Sequence, residues 1–180
     1  MAGLVVAVAE RGYSATTIND IVNEAHVSKS TFYAQFKGKE DCYLAAYELA
    51  SDTVLGLIVE AAARDLPEEE RVLAATRAYL DRAAEDRATT RTFILEVLAA
   101  GPDALAMRHA VNRRFAEVLR ELVDEYRGEN FRTLTESAAL LIVGGANELV
   151  LSAIVEDRLD ELPDLALTVA EAVLAAVTER

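Results

Sequence analysis

Two short helical patterns lie between Thr16 and Lys39, in TTINDIVNEAHVSKSTFYAQFKGK, and the gap between them is so short that only a sharp corner can bridge it. Thr16 or Thr17 can cap the first helix, because a threonine oxygen just before Ile18 accepts from amides that have no intrahelical partner, and Asp20 suits the positive helix start. Ile18, Ile21 and Val22 supply an i, i+3, i+4 apolar stripe. Ser28 caps the second helix, whose apolar content is little more than Val27, Phe32 and Phe36. Phe32 and Phe36 anchor one face, which leaves Lys29, Ser30, Tyr33 and Gln35 outward. A helix so poor in core residues, at the second position of a helix-turn-helix, is built to enter a major groove.

The longer stretch GYSATTINDIVNEAHVSKSTFYAQFKGKEDCYLAAY resembles the DNA-binding segment of the TetR family of bacterial transcriptional regulators. The usual pattern there runs Gly-Tyr, a Thr pair, Ile-Ala, Ala-Gly-Val-Ser-Lys-Gly-Thr-Phe-Tyr, then Phe and Lys-Glu. His26 and Ser30 stand at two usual glycines, and a left-handed residue at the inter-helix turn strains histidine more than glycine. The resemblance implies a double-stranded DNA operator faced by Thr17, Ser28, Lys29, Ser30, Thr31, Tyr33 and Lys39. Tyr33 and Lys39 are expected on phosphates, and Lys29, Ser30 and Thr31 nearest base edges; a core role for the Tyr33 ring is the alternative. The resemblance further implies a homodimer on a near-palindrome, a small-molecule effector, and most often repression. Relatives usually carry a basic arm and another turn or two of helix before the position of Met1. That leaves a second reading open: a small-molecule-binding or interaction protein of the same fold with weak or lost DNA binding.

The net charge of −13 opposes nucleic-acid binding as a total. Local charge decides better. Between His26 and Lys39 the only ionised residues are Lys29, Lys37 and Lys39, and the surplus of acids lies downstream of Glu40. A cationic patch on an acidic body orients a protein on a duplex and limits nonspecific sticking.

With 52% hydrophobic residues, eight glycines and three prolines, and few alternating β-branched runs, the chain reads as all-α with about nine helices. An N-terminal three-helix helix-turn-helix DNA-binding domain (1–46) precedes a helical ligand-binding and dimerisation domain (47–180). The first helix runs from Met1 to Arg11 and is closed by a left-handed Gly12. From Lys39 the apolar spacing gives one helix of roughly 25 residues, a packing element by its pattern and a signalling lever by resemblance. Pro67 with Glu68, Glu69 and Glu70 starts a helix to about Arg87. Ala88–Ala100 and Asp103–Tyr126 follow, and Arg127 to Asn130 end the latter. Ser137–Val155 approaches the length of a membrane span. Asn147, Glu148, two glycines and the lack of a basic flank or aromatic belt argue against one. A helix apolar all round is expected to be covered partly by a second subunit. With Asp164–Val177 it is expected to form a four-helix dimer seam that includes Leu151 and Val173, and Asp160 to Pro163 is only a turn.

One cysteine, Cys42, excludes an intramolecular disulfide; it reads as a small buried hydrophobe, with a redox thiol as the alternative. No signal-peptide pattern opens the chain, so a cytoplasmic location is expected. His26 and His109 are separated, and no His-Glu-x-x-His, Cys-x-x-Cys or Gly-x-x-x-x-Gly-Lys pattern occurs, so no enzyme, metal or cofactor is expected. The effector site is expected where polar residues interrupt apolar stripes. Arg108 and Asn112 lie about 20° and 60° from Phe115 around their helix, Arg91 lies near the Ile94 stripe, and Tyr79 and Asn147 lie on apolar faces. Together they can line a largely apolar pocket with polar handles. Equally, Arg108 can pair with Glu96 or Glu148 and Asn147 can bond backbone.

Overall fold

The computed structural model describes residues 1–126 and 132–177. Among the described residues there are nine α-helices and no strand. They are α1 Ala2–Arg11, α2 Ile18–Glu24, α3 Lys29–Gln35, α4 Lys39–Ala62, α5 Glu68–Glu85, α6 Arg87–Thr90, α7 Pro102–Tyr126, α8 Glu136–Val155 and α9 Ala166–Val177. The expected helix ending at Arg127 to Asn130 falls outside the described residues. The chain forms two compact units, Met1–Asp52 with Asp86–His109, and Thr53–Glu85 with Ala110–Arg180.

In the first unit, α1 buries Leu4, Ala7 and Val8, an i, i+3, i+4 set. Its end is closed by Gly12, whose N–H donates to Val8. Gly12 takes φ 77 and ψ 156. This is not the left-handed helical cap expected from the sequence but an extended positive-φ conformation that is essentially glycine's own. Thr17 opens α2 with a complete capping box, its hydroxyl accepting from Asp20 N–H while the Asp20 carboxylate accepts from Thr17 N–H. Ser28 opens α3 by accepting from Thr31 N–H. Between these helices His26 adopts φ 52, the left-handed turn expected where relatives carry glycine.

The expected helix Ala88–Ala100 is instead three pieces: α6, a π-helical turn Arg91–Leu95 and a 3-10 turn Glu96–Ala99. Residues of the wide turn bind α1 and α4. The Phe93 ring stacks on Tyr47 with centroids 4.8 Å apart and meets Tyr43 edge-on at 5.3 Å. The buried Tyr43 hydroxyl donates to Thr92 O at 2.7 Å, and Thr92 Oγ1 donates to Val5 O at 3.2 Å. These long-range bonds outweigh regular α-helical closure in a stretch already weakened by β-branched threonines. They also place residues 86–109 with residues 1–52, a grouping that a cut between residues 46 and 47 does not express. Cys42 is fully buried here, and burial pushes its thiol pKa up.

In the second unit, α5 packs on α9 and on a 3-10 segment, Leu159–Leu165, that occupies the expected turn and buries Leu159 and Leu162. Ala116, Val123, Leu134, Ala139, Val173 and Val177 form one cluster of its core. By length and composition α4 and α8 are apolar enough to cross a bilayer. In α8, however, Ala139, Ala146, Val150, Ala153 and Ile154 are buried within the unit. Its other face is open: Leu141 is 75% and Val155 71% exposed, with Gly144 and Gly145 between them. Val173 does not lie on an open seam. It is 2% exposed inside the unit's own core, because the inward stripe of α9 runs through Val169, Val173 and Val177 while Leu167, at 56%, faces out.

Candidate nucleic-acid interface and ligand cavity

The exposed side of the first unit is built by α3. Of its seven residues only Phe32 is buried, held 5.4 Å from the Phe36 ring. Lys29, Ser30, Thr31, Tyr33 and Gln35 are exposed, as is Lys37 beyond the helix end. Tyr33 is 56% exposed and meets Phe32 edge-on, so it is not a core aromatic. Thr17, Ser28 and Thr31 are exposed too, but their hydroxyls are engaged locally. Thr17 Oγ1 donates to Asp20 Oδ2 at 2.6 Å, and Ser28 Oγ and Thr31 Oγ1 share a hydrogen bond of 2.9 Å. The Thr17 hydroxyl and then its backbone N–H hold the Asp20 carboxyl below the usual range, so the cap is ionised at neutral pH.

Lys39 differs from its expected place on a phosphate. Its ammonium turns inward and donates to Tyr13 O at 2.7 Å and Thr16 O at 2.9 Å, 4.1 Å above the Tyr13 ring. Burial lowers its pKa. Two carbonyls of the α1–α2 corner compete for the charge that spacing assigned to the duplex.

The second unit contains a cavity of about 130 Å³, close to the size of an engineered apolar cavity that stays dry and takes up benzene. Its walls are apolar: Leu55, Ile58 and Ala62 from α4, Val72 and Ala75 from α5, Phe115 and Leu119 from α7, Val143 from α8 and Val169 from α9. Thr76 also lines it, but its hydroxyl bonds back to Val72 O. Tyr79 and Asn147 supply the polar surface inside. The Tyr79 hydroxyl donates to Asn147 Oδ1 at 2.7 Å, and Asn147 Nδ2 donates to Asn112 Oδ1 at 3.0 Å. Glu68 and Arg71 line the cavity at the first turns of α5, where Arg71 Nε donates to Leu66 O.

Of the five expected effector residues, Tyr79 and Asn147 line the cavity, and Asn112 is bonded to Asn147 without lining it. Arg91 and Arg108 belong to the first unit. The Arg108 charge acts there on Tyr43 and Tyr47, opposing the upward shift that burial imposes on both phenols. A single stripe around the wheel requires one core along all of α7, whereas residues up to His109 group with one unit and those from Ala110 with the other. Glu68 and Arg71 were missed as members of an acidic, solvated helix start. Their signal was available, because Glu68, Val72 and Thr76, and Arg71, Ala75 and Tyr79, are i, i+4 series. Among the described residues no group of three or more His, Cys, Asp or Glu is placed to hold a metal ion.

Residues 5–46 match the family described as bacterial regulatory proteins, tetR family. The helix-turn-helix segment is TetR-like. The whole described fold is TetR-like as well. It is similar to the fatty acid degradation regulator FadR from Bacillus halodurans, with a TM-score of 0.85 and 22% identity over 96% of this chain and 95% of that one. The transcriptional regulator FadR from Bacillus subtilis, in complex with stearoyl-CoA, gives 0.84 and 20% over 97% and 96%. A tetR-family regulatory protein from Rhodococcus RHA1 gives 0.74 and 22% over 99% and 95%. No curated protein matches the chain. In this TetR-like frame the matched segment ends within α4, and the cavity lies wholly in the part of the chain beyond it.

Proposed function

We propose that the chain is a ligand-responsive transcriptional regulator, a repressor that binds a near-palindromic operator as a homodimer and is released by a small molecule. One pairing carries this reading: α3 buries only Phe32 in the first unit, and the second unit holds an apolar cavity with a polar relay. Lys29, Ser30, Tyr33 and Lys37 face the duplex, where phosphate contacts position the helix and base contacts specify the sequence. The open faces of α8 and α9, with Leu141, Val155 and Leu167 exposed beside Gly144 and Gly145, pair two copies about a twofold axis. The regulator acts in the cytoplasm, where its DNA is.

The cavity walls favour an apolar effector, and the likeness to a FadR in complex with stearoyl-CoA supports an acyl chain, for which the cavity of about 130 Å³ must widen. Glu68 and Arg71 then meet its polar end. Leu55, Ile58 and Ala62 of α4 line the cavity, and α4 begins in the first unit at Lys39. A molecule that favours a different set of α4 turns therefore shifts the DNA-competent population. The experiment enriches duplexes from a random library on the wild-type protein, then titrates stearoyl-CoA into the complex. A palindromic consensus released by the acyl-CoA supports the reading; no enrichment removes the DNA-binding part of it, and binding without release removes the effector part.

A further inference from the structure

Glu96, just past the π-helical turn, reaches back to the α1–α2 corner. One carboxylate oxygen accepts the Tyr13 N–H at 2.8 Å. Gly12 leaves room for this approach: a Cβ there would stand 3.2 Å from the same oxygen, a tight contact. The carbonyl of Tyr13 is held by the Lys39 ammonium, which also holds Thr16 O. The residue's ring lies beneath that ammonium and meets Tyr43 edge-on at 5.1 Å. Tyr13 is thus gripped at its N–H, its C=O and its ring by side chains from two other segments, the 3-10 turn that carries Glu96 and α4 with Lys39 and Tyr43, and both backbone bonds are charge-assisted and stronger than neutral ones. The next residue after the gripped Thr16 is the α2 N-cap, Thr17.

We infer that Glu96 is a positioning residue for DNA binding, which with Lys39 clamps Tyr13 and so fixes the corner from which the helix-turn-helix departs. The inference rests on the DNA-binding reading and not on the effector. α2 has seven residues and is about 10 Å long at 1.5 Å per residue, so a tilt of about 15° at its start moves its far end by roughly 3 Å. That displacement is as large as a hydrogen bond is long, and α3 follows α2 directly. Neither Glu96 nor Lys39 touches the duplex in this account. Their loss lowers affinity for the right sequence and leaves the count of phosphate contacts unchanged.

The test uses the full chain and the duplex enriched by the wild type, with a random duplex as control. Glu96→Ala is expected to weaken the selected duplex about tenfold, the scale of one charged hydrogen bond. Random-duplex affinity and the salt slope stay the same, and the Tyr13 amide exchanges faster. Glu96→Gln, which keeps an acceptor oxygen, restores most of the loss, whereas lost stability alone lowers both affinities in proportion. Lys39→Met is expected to behave as Glu96→Ala does. Should Glu96→Ala fail to fold, the Gln and Met variants decide. Selected-duplex affinity at the wild-type level in Lys39→Met, or a salt slope lowered by about 1, overturns the clamp. Wild-type selected-duplex affinity in Glu96→Ala, or in Glu96→Gln despite faster Tyr13 exchange, does the same. A wild type that enriches no duplex instead overturns the DNA-binding reading and the inference with it.

Discussion

Replacing Gly3 and Gly56 by alanine makes the same chemical change in two helices and should give opposite results. At Gly3 an added Cβ would lie 2.6 Å from Ile21 O, 2.7 Å from Ala25 N and 2.8 Å from Ala25 Cβ, whereas ordinary contact begins at 3.4 Å. All three obstacles are backbone or Cβ atoms, so no side chain can swing aside, and α1 must retreat from α2 by roughly 0.8 Å. Overpacking of this kind costs about 3 kcal/mol, the upper end of its usual range, against about 1 kcal/mol regained from alanine's helix propensity. The net loss of about 2 kcal/mol lowers Tm by about 4–8 °C in a protein of this size. At Gly56 nothing lies within 4 Å, and the propensity gain alone raises Tm by about 2–4 °C. Thermal unfolding followed by circular dichroism measures both. Because α1 moves against α2, Gly3→Ala should also weaken selected-duplex binding. A Gly3→Ala protein stabilised as much as Gly56→Ala would show that α1 and α2 are not packed this closely.

Four further outcomes are expected. Gly144→Ala with Gly145→Ala, both facing open space on α8, should strengthen the isolated helix by about 1 kcal/mol each yet weaken the dimer at least about tenfold by sedimentation, because the methyls wedge two copies apart; unchanged dimerisation places the interface elsewhere. His26→Gly relieves the φ of 52 at the expense of a more flexible unfolded chain, for a net gain of up to about 1 kcal/mol in unfolding free energy, read from a raised denaturant midpoint. Asp20, whose carboxyl pKa is lowered from 3.8 chiefly by the Thr17 hydroxyl, adds stability that is fully present above its unfolded pKa and is lost as pH falls through the lower folded one. The stability gap between wild type and Asp20→Asn should therefore stay constant above about pH 4 and close below it. Lys29→Ala should reduce the salt slope of duplex binding by about 1, in contrast to Lys39→Met.

What the sequence made legible is what local chemistry controls. The caps of α2 and α3 follow from Thr17 and Ser28, and the left-handed turn at His26 from its standing where the resembled family has glycine. The outward face of α3 follows from having little besides Phe32 to bury. Features set by distant partners were not legible. The π-helical turn Arg91–Leu95 depends on Tyr43, Tyr47 and Val5 meeting Phe93 and Thr92. The direction of Lys39 depends on two carbonyls more than 20 residues away, and a flexible lysine stem reads the same in either pose. Arg108 sits near the Phe115 stripe on a wheel, but the core that α7 faces changes along the helix. Val173 and Leu167 are both apolar residues of α9, and only the packed unit distinguishes the buried one from the open one.

The central claim is that occupancy of the cavity controls DNA binding by the other unit. Its most direct measurement is fluorescence anisotropy of the wild-type protein on its selected duplex during a stearoyl-CoA titration, repeated with Ala75→Phe, which fills the cavity from α5. The account predicts release of the duplex from the wild type and sustained binding by Ala75→Phe at the same acyl-CoA concentrations. Equal release from both proteins, or a wild type that binds the acyl-CoA and holds the duplex unchanged, would contradict it.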